Sequence, residues 1–266
     1  MTTQTQDEAT RTGAARGRRT AVVTGAGSPR GIGVATARRL ASDGWAVALL
    51  DLDAAAAEKA AAQIGEEHGV PATGLGVDVT DEESVDAVVT RVEETMPPVA
   101  GLACIAGITS PTRFLDTTRA EWDRIMGVNA TGTYLVAKRV AATMRDGGGG
   151  AIATMSSVSA VRGGGVFGGV PYSAAKAAIL GLTRAMAREL GPLGITVNAV
   201  APGVVDTDIR AGATNPEKEA ALAADVPLGR QATAAEIAAL FAFLLSTDAA
   251  YITGATYDIN GGSHIS

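Results

Sequence analysis

Tyr172 and Lys176 lie four residues apart in Tyr172-Ser173-Ala174-Ala175-Lys176, a spacing that stacks a phenol and an ammonium on one face of a helix. A free phenol has a pKa of about 10, so acid/base work near neutrality requires lowering it by about 2–3 units, equivalent to about 3–4 kcal/mol. One cation at about 4 Å supplies up to about 4 kcal/mol at an effective dielectric of about 20. The pair can therefore trade a proton with an oxygen atom, although the same spacing also arises on solvated helix surfaces.

A second constellation sits near the start. Thr24-Gly25-Ala26-Gly27-Ser28-Pro29-Arg30-Gly31-Ile32-Gly33 follows a short apolar run and precedes a helical pattern. Gly25, Gly27, Gly31 and Gly33 would let backbone approach a pyrophosphate, with the free N–H groups and positive end of the helix meeting its charge beside Ile32. Asp51 follows Gly33 by 18 residues, close to the spacing at which an acid accepts the ribose hydroxyls of an adenosine. A carboxylate there repels a 2′-phosphate and favours NAD over NADP; Asp53 is a nearby competitor for the position. Arg30 pulls the other way, since a guanidinium can hold a 2′-phosphate bidentately. Asp51 carries more weight, because a carboxylate against an uncompensated phosphate is costly whereas Arg30 can swing into solvent.

These groups need a scaffold that brings strand ends together. Apolar or β-branched runs at 21–23, 46–50, 74–77, 101–105, 151–155, 196–200 and 255–259 alternate with helical stretches. That alternation predicts an α/β fold of the Rossmann type, a doubly wound parallel sheet of about seven strands with helices on both faces. Helices are expected over the alanine-rich 54–62, from the acidic start at Asp81, over 118–144 and over 170–190. The glycine-rich stretches 147–150 and 163–169 read as a turn and a loop beside strands. No repeat or linker divides the chain. Residues 20–266 are therefore expected to form one domain, preceded by a solvated tail over 1–19 that carries Arg11, Arg16, Arg18 and Arg19.

Composition narrows the classes. The 266 residues include 22 Lys plus Arg against 28 Asp plus Glu, a net charge of −6, which argues against a nucleic-acid partner. A single cysteine, Cys104, permits neither an internal disulfide nor a multi-cysteine zinc site. His68 and His264 lack metal-binding spacing, so no metal is expected. No segment approaches the roughly 20 apolar residues that cross a bilayer, and the longest apolar stretch, 238–245, suits a buried helix face. Arg18-Arg19 could open an export signal, but the following residues turn glycine-rich before a signal core is complete, so a cytoplasmic protein is expected.

The ordered set of the glycine turn, Asp51, Asn129, Ser157, Tyr172, Lys176 and Pro202-Gly203 resembles the motif set of the short-chain dehydrogenase/reductase family. Pro227-Leu228-Gly229-Arg230, Ile252-Thr253-Gly254-Ala255 and Asp258-Ile259-Asn260-Gly261-Gly262 are similar to its C-terminal pattern. The resemblance spans nearly the whole chain after residue 19. It implies interconversion of an alcohol and a ketone or aldehyde, with Tyr172 as acid/base and Lys176 tuning it and binding the nicotinamide ribose. It further implies Ser157 on the substrate oxygen and Asn129 holding a relay water. Asp78 and Val79 would lie at the adenine, Ala106 and Gly107 would approach the cofactor through backbone, and Pro202, Gly203, Val205 and Thr207 would cover the nicotinamide. Each also has a plainer reading: Asn129 as a helix-kink residue, Ser157 as a strand-end turn, Asp78 as a cap before Thr80.

Three departures from the family pattern stand out. Five residues separate Gly25 from Gly31 where three are usual, and Cys104-Ile105-Ala106-Gly107 replaces an Asn-Asn-Ala-Gly run. Ser157 precedes Tyr172 by 15 residues, two more than usual, while Ser159 sits at the usual count; Ser157 is preferred because it directly follows the strand and Ser156. A small-molecule substrate is expected between 110–114, the 159–170 loop and 208–225, with Arg113, Arg162 and Arg210 as the nearby charges. The resemblance implies a homotetramer. The alternatives are an NADPH-dependent 3-oxoacyl-thioester reductase, which Arg30 supports and Asp51 opposes, and a dinucleotide-binding regulator without turnover.

Overall fold

The computed structural model describes residues 19–164, 168–210 and 215–265. The 1–18 part of the expected tail, 165–167 of the glycine-rich loop and 211–214 of the expected pocket segment lie outside the described residues. Strands β1 (Thr20–Thr24), β2 (Ala46–Asp51), β3 (Ala72–Gly76), β4 (Val99–Cys104), β5 (Gly150–Met155), β6 (Ile195–Pro202) and β9 (Thr256–Ile259) form one parallel sheet in the order β3-β2-β1-β4-β5-β6-β9. All seven expected strands are present, within a few residues of the expected bounds. The order reverses between β1 and β4, so the carboxyl ends of these strands open a crevice at the centre of the sheet.

Nearly every residue of β1, β2, β4, β5 and β6 is buried, as a sheet covered on both faces requires. Helices α1 (Ile32–Ser42) and α2 (Ala54–His68) cover one face with a later helix, Ala234–Leu245, through Leu40, Ile64 and Phe241. On the other face, α3 (Glu82–Thr95) packs through Val85, Val89 and Val92. The helix α4 (Arg119–Met126) leads into α5 (Gly132–Asp146), whose Val136, Val140 and Met144 join the same layer. The short α6 (Ser159–Arg162) precedes the long α7 (Val170–Leu190). Beyond β6, β7 (Val205–Asp206) pairs in parallel with β8 (Ala232–Thr233), a two-strand ladder that no periodicity in the sequence announces. The helix α8 (Pro216–Ala224) lies between them, and Thr233 caps α9 (Ala234–Leu245) in a capping box with Glu236.

The expected single helix over 118–144 is interrupted. A π turn, Gly127–Thr131, separates α4 from α5. Within it the Asn129 amide donates to the carbonyls of Ile108 and Ile125, both at 2.9 Å, and next to it a Cβ on Gly132 would stand 2.7 Å from Val79 Cγ2. The helix thus widens where a side chain inserts into its hydrogen-bond ladder and where it presses on Val79, just after β3.

Close helix–strand contact also fixes Gly74 in β3, where an added Cβ would collide with the Ala57 carbonyl of α2. Gly74→Ala should therefore lower the unfolding free energy by about 1–3 kcal/mol. Urea denaturation followed by far-UV circular dichroism measures this, and an unchanged midpoint would contradict the tight packing.

Candidate active site

The glycine turn folds as a cradle with no room for side chains. Gly25 adopts φ 69°, and a Cβ there would lie 2.8 Å from the Ala106 backbone; one on Gly33 would collide with the Gly25 carbonyl. Helix α1 begins at Gly31 with no side-chain cap and no acidic residue in its first turn, so its N-terminal N–H groups keep their partial positive charge. Gly27 donates its N–H to Asp51 Oδ2 at 2.7 Å, and a Cβ on Gly27 would lie 2.7 Å from Asp51 Cγ. The Asp53 N–H donates to the other Asp51 oxygen at 3.1 Å, while Asp53 itself caps α2 through Ala56. Asp51, rather than its competitor, therefore stands at the cradle.

Gly25, Gly31, Ile32 and Asp51 share a cavity of about 470 Å³ with Gly107, Asn129, Ser157, Tyr172, Lys176, Pro202, Gly203, Val205 and Thr207. A Cβ on Gly107 would lie 2.7 Å from Asn129 Oδ1 and 3.4 Å from Lys176 Nζ, and one on Gly203 would press on Asn260 at 2.9 Å. The Thr24 hydroxyl accepts the N–H groups of Ile105 and Ala106 at 3.0 and 3.1 Å, joining β1 to the end of β4. This cross-link steadies the run in which Cys104 and Ile105 stand in place of two amides. In the sequence Thr24 reads only as part of the turn, and nothing local reveals its partners 81 and 82 residues away.

The reacting groups sit at the cavity floor. Lys176 is 2% exposed, and its ammonium donates to the Met155 carbonyl at 2.8 Å. The Ser156 hydroxyl donates to the Lys176 carbonyl at 2.8 Å, fastening this turn of α7 to the end of β5. Burial pulls the Lys176 ammonium down to about 7, and neighbouring Cys104, itself pushed up to about 12 by burial, opposes this slightly. Tyr172 behaves differently from the simple pair expected from spacing. Burial raises its pKa, the hydrogen bond with Ser157 lowers it less, and Lys176 lies 5.6 Å from the ring centre. Burial is the larger of the two effects, so the phenol stands above its ordinary range.

Ser157 is the serine hydrogen-bonded to Tyr172. Its hydroxyl also accepts the Ser159 N–H at 3.2 Å, and Ser159 begins α6 beside Gly168. Asn129 is fully buried, and among the described residues its Oδ1 has no hydrogen-bond partner although the amide nitrogen has two. A buried carbonyl oxygen facing a cavity is an acceptor suited to a water or ligand.

Other expected residues lie at the margin. The Asp78 carboxylate is exposed and accepts from the Thr80 N–H and hydroxyl at 2.9 and 2.7 Å, which hold its pKa low; it does not line the cavity. Val79 is buried against Gly132. Arg30 reaches Asp206 at 2.6 Å and Asp208 at 3.7 Å. Arg162 lines the cavity and pairs with Asp225 at 3.1 Å, Arg113 is exposed, and the side chain of Arg210 is outside the described residues. Of the expected 110–114 wall, Ser110 is buried and tied to Glu121, and Phe114 lies in a separate depression with Trp122 and Val170; neighbouring Thr109 lines the cavity. Among the described residues no cluster of metal-binding side chains occurs.

The cradle, the bare helix end and the orphaned Asn129 oxygen fit a dinucleotide, with Gly25, Gly31 and α1 at the phosphates and Asp51 at a ribose. A sheet of this order with a tyrosine–lysine turn at its crevice defines a class of nicotinamide-dependent oxidoreductase. The family model described as "Enoyl-(Acyl carrier protein) reductase" matches residues 25–264. An uncharacterised short-chain type dehydrogenase/reductase of Sinorhizobium fredii is 46% identical, covering 92% of this chain and 96% of its own. The 2-(S)-hydroxypropyl-CoM dehydrogenase 3 of Xanthobacter autotrophicus is 40% identical, covering 90% of this chain and 94% of its own. A short-chain type dehydrogenase/reductase structure from Mycobacterium marinum superposes with a TM-score of 0.88 at 31% identity, covering 95% of this chain and 98% of that one. The chain belongs to the short-chain dehydrogenase/reductase family.

The depressed Lys176 makes a prediction about stability. Folded Lys176 loses its proton near pH 7, whereas the unfolded side chain keeps it to about pH 10, so unfolding takes up a proton between those limits. Its contribution to stability therefore rises with pH across that window. Lys176→Met should remove this rise, seen as a flatter pH dependence of urea unfolding than in the wild type; parallel curves would contradict the desolvated ammonium.

Proposed function

We propose that this protein is an NAD(H)-dependent oxidoreductase that interconverts a secondary alcohol and its ketone. The observation that carries the reading is the convergence of Tyr172, Lys176, Ser157 and Asn129 on the floor of the cavity that also holds Asp51 and the bare end of α1. When bound, the nicotinamide supplies the hydride acceptor or donor and, in its oxidised form, a positive charge. The chain's own residues manage the proton. Tyr172 accepts the substrate hydroxyl proton in oxidation and returns it in reduction, which as positioned acid/base catalysis is worth about 10²–10⁴-fold in rate. Ser157 donates to the substrate oxygen as charge develops there. Lys176 orients the ribose, and Asn129 Oδ1 holds a water through which Tyr172 exchanges its proton with solvent. Pro202, Gly203, Val205 and Thr207 shield the nicotinamide from water.

NAD is favoured over NADP because the Asp51 carboxylate is fixed by two N–H groups at the cradle, where a 2′-phosphate would meet it. Arg30, the cue for NADP, is engaged by Asp206 and Asp208. A small secondary alcohol agrees with the 40% identical hydroxypropyl-CoM dehydrogenase. The second reading, a 3-oxoacyl-thioester reductase using NADPH, is favoured by relatives named 3-oxoacyl-[acyl-carrier-protein] reductase at 38% identity in Vibrio harveyi and Escherichia coli. We take the protein to act in the cytoplasm as a homotetramer, with the exposed Phe114, Leu115, Trp122 and Val170 around α4 and α7 as part of the interface.

Reduction of NAD and NADP, followed spectroscopically across secondary alcohols, polyols and 3-hydroxyacyl thioesters, tests this reading. Turnover with NAD and a secondary alcohol is expected, falling about 10²–10⁴-fold in Tyr172→Phe with NADH binding retained. Asp51→Ala should raise the use of NADP relative to NAD. Use of NADPH with thioesters alone would favour the second reading, and tight NADH binding without turnover would favour a regulator.

A further inference from the structure

The two residues by which the glycine turn exceeds the family length lie in the stretch Ser28-Pro29-Arg30, and its side chains reach across the cavity. Arg30 Nη2 donates to Asp206 Oδ1 at 2.6 Å, Arg30 Nε stands 3.7 Å from Asp208 Oδ1, and the Ser28 hydroxyl donates to Asp208 Oδ2 at 2.9 Å. The partners are separated by 176 and 180 residues in sequence. Ser28 and Gly31 line the cavity from the cradle side, while Thr207 and Asp208 line it from the far side.

Both arms are anchored. The Gly31 N–H donates to the Ser28 carbonyl at 2.9 Å, closing a turn around Pro29. Asp206 pairs with Thr233 in the β7–β8 ladder, and Thr233 caps α9. We infer that Ser28 and Arg30 on one side and Asp206 and Asp208 on the other form a clasp over the cofactor cleft that slows the release of bound dinucleotide. This rests on the proposed cofactor reading. Two carboxylates beside a dianionic pyrophosphate would by themselves repel it; tied to Arg30 they serve as the fixed half of a closure.

The pairs are exposed, at 61% for Arg30, 65% for Asp206 and 37% for Asp208, so the effect is modest and weakened by salt. The sign of one substitution decides the matter. Asp206→Asn removes a negative charge near the phosphates, which by simple repulsion slows release, whereas opening the clasp speeds it.

Stopped-flow displacement of NADH, read by its fluorescence, measures the release rate without turnover. Asp206→Asn and Arg30→Gln are each expected to speed release about two- to fivefold, and the double variant no more than the faster single one. Salt should speed release from the wild type and leave the double variant nearly unchanged. Slower or unaltered release from Asp206→Asn, or additive effects in the double variant, would overturn the clasp alone. Failure of the wild type to bind NADH would overturn the cofactor reading and the clasp with it.

Discussion

The organisation of the site depends on holding one ammonium, Lys176, at the bottom of a protein cavity, where it donates to the Met155 carbonyl. Isolated buried cations are costly, and the protein lowers that cost by letting the group sit near pH 7 in its proton affinity. The same burial raises Tyr172. The resting site therefore holds a weak acid beside a weakened base, and the phenol is not poised for proton transfer by the lysine alone. A positively charged ring entering the cavity lowers the pKa of Tyr172, since it favours the phenolate. In the proposed reading, acid/base competence therefore follows cofactor binding.

Backbone proximity is the second constraint. The cradle is tight because β1, the end of β4 and the start of α1 approach closer than a Cβ allows, at Gly25 and Gly33. The Thr24 hydroxyl locks this approach by accepting two N–H groups from β4. Asp51 then meets the turn through Gly27, so in the proposed reading the acid at the ribose is positioned by the turn that would receive the phosphates.

Much of this was legible in the sequence. The central strands are short runs of apolar residues buried on both faces, and α2 and α3 carry their own caps, so these elements are determined largely by neighbours in the chain. Tyr172, Lys176, Asp51, Gly25 and Gly31 stood out as an ordered set of residue types at given spacings, and the structure brings them to one cavity. What escaped depends on distant partners. A kink at Asn129 was one reading of the sequence, but the π turn itself depends on the distant Ile108 carbonyl and on Val79 beside Gly132. Arg30 looked free to meet a 2′-phosphate because Asp206 and Asp208 are far away in sequence. The upward shift of Tyr172 could not be read from a four-residue spacing, since it depends on how deeply both groups are buried.

The most direct test is a titration of the Tyr172 phenol, read as the ultraviolet difference between wild type and Tyr172→Phe, without ligand and with NAD⁺. The phenol should ionise above the ordinary tyrosine range in the free protein and well below that value once NAD⁺ is bound. A low value in the free protein, or a value that NAD⁺ leaves unchanged, would contradict a site whose proton chemistry is switched on by its cofactor.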